Sequence, residues 1–301
     1  MPELPEVETV RRGLEPILVG NAFTRVEQRR ADLRFPLPKD FGKRLSGKGI
    51  EALDRRAKYL LARLDDGEVL VMHLGMTGRF RIDRSNTIEP SAPLLPLQGS
   101  AENPKPKRVP KHEHIVFHLR DGTAVRYSDT RRFGLMDLIP ARTLDTHALF
   151  KSLGLEPFDD AFTPEWLAQR LKGKATTIKA ALIDQRLIAG IGNIYACEAL
   201  FRARISPLTL AGTLASKSGK PTKKTEALVK AVKAVLEAAV QAGGSSLRDY
   251  KRADGRLGRF QHRFNVYRRE GKPCRRKGCG GKVRRIVQSG RSTFYCPTCQ
   301  R

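Results

Sequence analysis

VLVMHLGMTGRFRI (Val69 to Ile82) and HIVFHLRDGTAVRYSD (His114 to Asp129) decide the architecture of the first half of this chain. Both show period two, so each presents one face to a core and the other away from it, as a β-strand does. Asp121-Gly122 interrupts the second stretch with residues suited to a tight hairpin turn, because Gly and Asp enter the left-handed backbone region at little cost. Toward the N-terminus, Val7, Val10 and Leu14 recur at helical spacing behind Pro5, which predicts a helix opening the chain. Between the two strand stretches lies Asn86 to Lys111, carrying Pro90, Pro93, Pro96, Pro104, Pro106 and Pro110. It reads as a long, mobile loop with no fold of its own.

From about Pro164 the period becomes helical. Ile178, Ala181 and Leu182 begin one helix, Asn193 to Phe201 another, and Ala227 to Gln241 a third that Gly243-Gly244 ends. GIGN (Gly190 to Asn193) joins the first two. Backbone N–H groups at such a turn can cradle a phosphate, or its glycines can serve close packing; the residues alone leave both readings open. Strands followed by helices define an α+β chain, and its 301 residues suffice for two domains and an appended module.

The formal charge is +26, and Lys251 to Arg301 contributes 16 Lys and Arg against Asp254 and Glu270, a net +14. A folded core has no use for such an excess, and self-repulsion opposes compactness unless a polyanion neutralises it. Nucleic acid is the first partner implied, an anionic membrane surface the second. A solvated face or disordered tail is the plainer reading of a basic run, but Phe260, Phe264, Val266 and Tyr267 interleave here and four cysteines follow. MPELPEVETV has neither a basic nor an apolar leader region, and no uncharged apolar run approaches membrane-spanning length. The expectation is a cytoplasmic, nucleoid-associated protein in a reducing compartment, without membrane attachment.

In that compartment, clustered cysteines point to metal before disulfides. Cys274-x4-Cys279-x16-Cys296-x2-Cys299 forms two short knuckles around a hairpin, each offering two thiolates on one side of a tight turn, as a tetrahedral zinc ion requires. Four thiolates leave no open position, so one structural zinc is expected. Two strands, Lys282 to Val287 and Ser292 to Tyr295, would flank the turn Gln288 to Arg291. Cys197, inside the apolar run IYACEALF, reads as a core thiol.

The chain begins MPELPEVET. A small second residue permits removal of the initiator methionine, which would leave Pro2 with a secondary amine. Such an amine attacking a sugar carbon yields a charged iminium, an electron sink for breaking adjacent C–H and C–O bonds. Glu3 would stand within reach to give or take a proton. On composition alone, Pro2 is an ordinary terminal residue.

The order of motifs changes that. PELPEVET, RRAKYLL (Arg55 to Leu61), HLGMTG (His73 to Gly78), DTRRFG (Asp129 to Gly134), GIGNIYACE (Gly190 to Glu198) and the terminal four-cysteine ribbon together resemble the bacterial formamidopyrimidine-DNA glycosylase family over almost the whole chain. The resemblance implies an N-terminal two-layer β-sandwich with flanking helices over 1–150, a helix-two-turns-helix domain over 151–265 and a zinc hairpin over 266–301. The partner implied is duplex DNA with an oxidised base or abasic site, bound by a monomer in the cleft between domains.

At matching positions, Pro2 resembles the nucleophile, Glu3 the proton donor in base release, Lys58 the donor for β-elimination and Arg291 the donor for δ-elimination. Without the family, Lys58 is a solvated strand lysine and Arg291 a solvated turn arginine. Met76, Arg131 and Phe133 match residues that fill the gap left by an extruded nucleotide, although Met76 and Phe133 would otherwise read as strand core. His112, Arg131, Lys174, Lys179 and Asn193 match DNA-contacting positions. His112-Glu113-His114 lacks the spacing of a metalloprotease motif. Three departures stand out: the Pro-rich loop, the polar stretch Gly212 to Lys224, and a first knuckle wider than the family's common two-residue version. The activity implied is excision of 8-oxoguanine and formamidopyrimidines followed by β,δ-elimination. The alternatives are an endonuclease VIII-like enzyme for oxidised pyrimidines and a non-catalytic damaged-DNA binder.

Overall fold

The period-two stretches do form strands, but the two stretches are built differently. In the computed structural model, which describes residues 2–84, 111–245 and 258–301, His114 to Asp129 is the expected hairpin. Strands β6 (Glu113–Leu119) and β7 (Thr123–Ser128) pair antiparallel around Gly122, whose φ is +83°. Val69 to Ile82 instead changes sheets: β4 (Glu68–His73) and β5 (Arg79–Arg84) belong to different layers, joined by the turn Leu74 to Gly78. The Pro-rich stretch read as a mobile loop lies outside the described residues, Lys111 excepted.

Helix α1 (Leu4–Leu18) opens the fold and is followed by β1 (Phe23–Gln28), the short α2 (Phe41–Leu45), β2 (Ile50–Arg56), β3 (Tyr59–Leu64), then β4 to β7 and β8 (Leu135–Pro140). One sheet has the order β1-β6-β7-β5 and the other β2-β3-β4-β8, all neighbours antiparallel. Phe23, Phe117, Val125 and Tyr127 from the first face Leu60, Ala62, Leu70 and Met72 from the second in one core. The alternate residues Leu61, Val69 and Val71 turn to a second cluster with Leu144 and Phe150. Both faces of the second sheet are therefore buried, which is why Val69 to Met72 carries no polar residue.

The helical half comprises α3 (Pro164–Leu171), α4 (Ile178–Ile183), α5 (Asn193–Arg202) and α6 (Lys223–Gln241) around their own core. Thr163, Thr177 and Thr222 cap α3, α4 and α6 through their hydroxyls, satisfying N–H groups that have no partner within the helix. Helix α1 lies against both β2 and α6, so the first residues of the chain sit where the two halves meet. Last comes the hairpin β9 (Arg284–Gln288) and β10 (Arg291–Tyr295), which end at the expected Tyr295 and differ by one or two residues at the other bounds. Its turn is Ser289-Gly290, both at positive φ, the two-residue form that matches strand twist. No helix among the described residues is long and apolar enough to cross a membrane.

Candidate active site

PELPEVET places its first residues by burial. Pro2 and Glu3 are buried, and the Leu4 N–H donates to the Gly190 carbonyl at 3.1 Å. The two glycines of GIGN serve this approach: a Cβ at Gly190 would lie 2.7 Å from Leu4 Cδ1, and one at Gly192 would lie 2.3 Å from Glu3 Cδ. Packing is thus one answer to the question the turn posed. The N–H groups of Ile194 and Tyr195 at the start of α5 donate to the Glu3 carboxylate at 3.0 and 3.4 Å. The anion that this helix start holds is a side chain of the protein itself.

Burial pushes the Glu3 carboxyl above its usual range; the nearby Lys58 opposes this and Glu6 adds to it. Lys58, 6% exposed, donates to the Ile191 carbonyl at 3.2 Å. Its ammonium is pushed down by burial, held up by Glu3 and lowered further by Arg291. The two groups therefore approach each other in proton affinity, Glu3 becoming a weaker acid and Lys58 a stronger one. Lys58 is far from the solvated strand lysine that its sequence setting suggests.

Two carboxylates that the sequence reading did not single out hold this arrangement. Glu6 accepts the Glu3 N–H at 2.9 Å, the Tyr195 hydroxyl at 2.5 Å and the Ser245 N–H at 2.7 Å, tying α1 to the helical half. Glu156 accepts the Ala57 N–H at 2.5 Å and the guanidinium groups of Arg55 and Arg56 at 2.7 and 3.1 Å. Ala57 has φ +53°, a backbone state that a non-glycine residue holds only when its surroundings impose it, and Lys58 follows directly. The i+3 spacing of Glu3 and Glu6 was the available signal for the first; the second joins positions about a hundred residues apart and left none.

Arg291 is exposed at the hairpin turn, and its charge lowers the proton affinity of both Lys58 and Lys179. Asn193 Nδ2 donates to the Ser292 carbonyl at 2.8 Å and ties the hairpin to the start of α5. Lys179, matched to a DNA-contacting position, is 0% exposed, and its Nζ has no hydrogen-bond partner among the described residues. Burial lowers its proton affinity. Lys174 is exposed and His112 half-buried. Met76 and Phe133 are 37% and 42% exposed, against the strand-core alternative, and with Arg131 they line one cleft of about 590 Å³. The Arg131 guanidinium lies 4.6 Å from the Phe133 ring centroid.

In the ribbon, the four sulfur atoms of Cys274, Cys279, Cys296 and Cys299 lie within 4.8 Å of one another. A zinc ion bonded to four thiolates at about 2.3 Å sets sulfur–sulfur edges of about 3.8 Å. The Cys274–Cys299 and Cys279–Cys296 separations are 3.8 and 3.6 Å, so the residues fit the ion. The wider first knuckle closes through the Arg276 N–H, which donates to Cys274 Sγ at 3.4 Å, and through Gly278 and Gly280 at positive φ. Cys197 is buried in the cluster beneath the ribbon with Phe201, Val266 and Phe294, a core thiol as its sequence setting suggests.

A β-sandwich and a helical half that meet at a buried terminal segment, beside a basic four-cysteine ribbon, define the class of two-lobed DNA-repair glycosylases. Residues 1–136 match the formamidopyrimidine-DNA glycosylase N-terminal domain, 153–251 its H2TH domain, and 271–301 the zinc finger found in FPG and IleRS. The chain belongs to the formamidopyrimidine-DNA glycosylase family. It is 56% identical to the formamidopyrimidine-DNA glycosylase of Beijerinckia indica and 54% identical to that of Chelativorans sp., each over 100% of both chains. Among solved structures it is similar to the MutM (Fpg) protein of Thermus thermophilus, with 40% identity, TM-score 0.79 and coverage of 99% of this chain and 98% of that one. It is also similar to the Lactococcus lactis Fpg bound to DNA containing an abasic site, with 32% identity, TM-score 0.80 and 99% of each chain covered.

Proposed function

We propose that this chain excises 8-oxoguanine and formamidopyrimidines from duplex DNA and then cleaves the abasic site by β,δ-elimination through an iminium at Pro2. The observation that carries this reading is the buried Glu3–Lys58 pair beside Pro2, each group shifted toward its neutral form. With Met1 removed, the secondary amine of Pro2 attacks the deoxyribose C1′. The departing base takes a proton from Glu3, whose carboxylate the Ile194 and Tyr195 N–H groups then stabilise. The nitrogen loses its proton, which passes to O4′, as its lone pair breaks the C1′–O4′ bond and forms the iminium. Water then takes a C2′ proton, and the electron pair expels the 3′ phosphate. Lys58 is the proton donor to that leaving group, and Arg291 serves the second elimination in the same way.

A stacked base cannot be attacked at its sugar, so the nucleotide is rotated out. Met76 and Phe133 occupy the gap and Arg131 bonds the orphaned cytosine. Lys174, His112 and Asn193 contact the backbone. Lys179 offers an ammonium for which a bound phosphate becomes the counter-ion. One zinc on Cys274, Cys279, Cys296 and Cys299 supports the ribbon and takes no part in the chemistry. The protein works as a monomer in the cytoplasm, associated with the nucleoid, and its working units follow the 1–150, 151–265 and 266–301 division.

Borohydride added during reaction with an 8-oxoguanine duplex is expected to trap one covalent adduct, with the crosslinked peptide beginning at Pro2. An adduct on a lysine, or no adduct at all, overturns the reading. Affinity should also depend steeply on salt, because neutralising each phosphate releases condensed counterions. Lys174→Ala is expected to flatten the log–log salt slope by about 0.9. An unchanged slope removes Lys174 from the phosphate contacts.

A further inference from the structure

The DTRRFG segment and the HLGMTG turn meet over a buried carboxylate that none of the steps above uses. Asp129 is 0% exposed, and no ion pair engages it among the described residues. Its Oδ2 accepts the Gly134 N–H at 2.8 Å and the Tyr127 hydroxyl at 3.4 Å, and its Oδ1 accepts the Thr77 hydroxyl. The Thr77 oxygen in turn accepts the Arg131 N–H at 2.9 Å. The Asp129 backbone is held as well, its N–H by the His112 carbonyl at 3.0 Å and its carbonyl by His114 Nε2 at 2.7 Å.

The loops touch with no side chain between them. Gly75 has φ +56°, and a Cβ there would lie 2.2 Å from the Phe133 carbonyl carbon; one on Gly134 would lie 1.9 Å from the Tyr127 hydroxyl oxygen. One carboxylate thus binds the residue after Met76 on one loop and the residue after Phe133 on the other, and through Thr77 it reaches the backbone of Arg131. A buried carboxylate without a counter-ion is a poor way to gain stability, since well-packed apolar residues do that better. Its neutral donors all come from the two loops and the strand beneath them, so what it sets is their spacing.

We infer that Asp129 and Thr77 form a clasp that holds Met76, Arg131 and Phe133 as one preorganised wedge, making them positioning residues for nucleotide extrusion. The inference rests on the wedge reading given above. Filling the gap with three independent side chains would require them to be ordered at the moment of unstacking; the clasp has already ordered their backbones.

The test is single-turnover base release from an 8-oxoguanine duplex at saturating protein, beside β-elimination on a pre-formed abasic site, which needs no base to be unstacked. Thr77→Val keeps the shape and removes both hydroxyl bonds; Thr77→Ser keeps them. Thr77→Val is expected to slow base release about ten-fold, equivalent to about 1.4 kcal/mol, while abasic-site cleavage changes less than about two-fold and Thr77→Ser restores the rate. Asp129→Asn, which retains one acceptor oxygen, should show the same selective loss and serves if Thr77→Val folds poorly. Equal loss on both substrates, no loss on either, or failure of Thr77→Ser to restore the rate overturns the clasp. Absence of base release by the unaltered protein overturns the proposed function instead, so the two failures are distinguishable.

Discussion

Glu3→Gln is expected to abolish excision of a damaged base while leaving cleavage of a pre-formed abasic site largely intact. The Ile194 and Tyr195 N–H groups reach different carboxylate oxygens, so the amide keeps the shape and accepts one of them, but it has no acidic proton to give the departing base. General acid catalysis is worth about 10²–10⁴-fold, and the base-release rate should fall by that factor. Attack by the Pro2 amine on an existing aldehyde needs no such donor, so the borohydride adduct on abasic DNA persists. Burial raises the Glu3 pKa, so the unaltered protein should lose base-release rate as pH rises through the raised value. Glu3→Gln lacks this limb.

The same shift sets the sign of a stability change. A carboxyl with a raised folded-state pKa contributes stability that is present below its unfolded pKa and lost as pH rises through the folded one. The Gln variant carries no such loss. Its Tm relative to that of the unaltered protein is therefore expected to rise from pH 4.5, the ordinary glutamate value, to neutral pH. A variant less stable at pH 7 than at pH 4.5, relative to the parent, would contradict the assignment.

Cys296→Ser is expected to release zinc and lower DNA affinity by about 10²-fold or more. Only a small apolar cluster, including Val266, Val283 and Phe294, underlies the ribbon, too little to hold it without metal, as is usual for modules of this size. Arg291 is placed by this hairpin, and charge-assisted phosphate contacts are worth about 1.5–3 kcal/mol each. The sandwich core is a separate cluster, so calorimetry should still record its cooperative unfolding. Metal analysis should return one zinc per chain for the parent and none for the variant. A zinc-free protein with undiminished affinity would refute the structural role of the metal.

What was legible in the sequence had local causes. The Asp121-Gly122 hairpin, the helix behind Pro5, the paired cysteines and the basic final segment each depend on residues a few positions apart. Backbone preference, periodicity, ligand spacing and charge act at that range. The motifs PELPEVET, RRAKYLL, DTRRFG and GIGNIYACE also carried the family, because their order along the chain is itself information.

What the tertiary structure decided were matters of which distant groups share a space. Period two in Val69 to Ile82 gives alternating faces but cannot say that β4 and β5 lie in different sheets, since that depends on where each strand finds its partner. GIGN reads equally as a phosphate cradle or a packing turn until Glu3 is seen to fill it. Lys179 reads in the sequence as a surface cation, yet on α4 it is buried, with no hydrogen-bond partner for its Nζ among the described residues. Proton affinities at Glu3 and Lys58 follow from desolvation and mutual charge, neither of which exists until α1, the β2–β3 turn and the start of α5 are brought together.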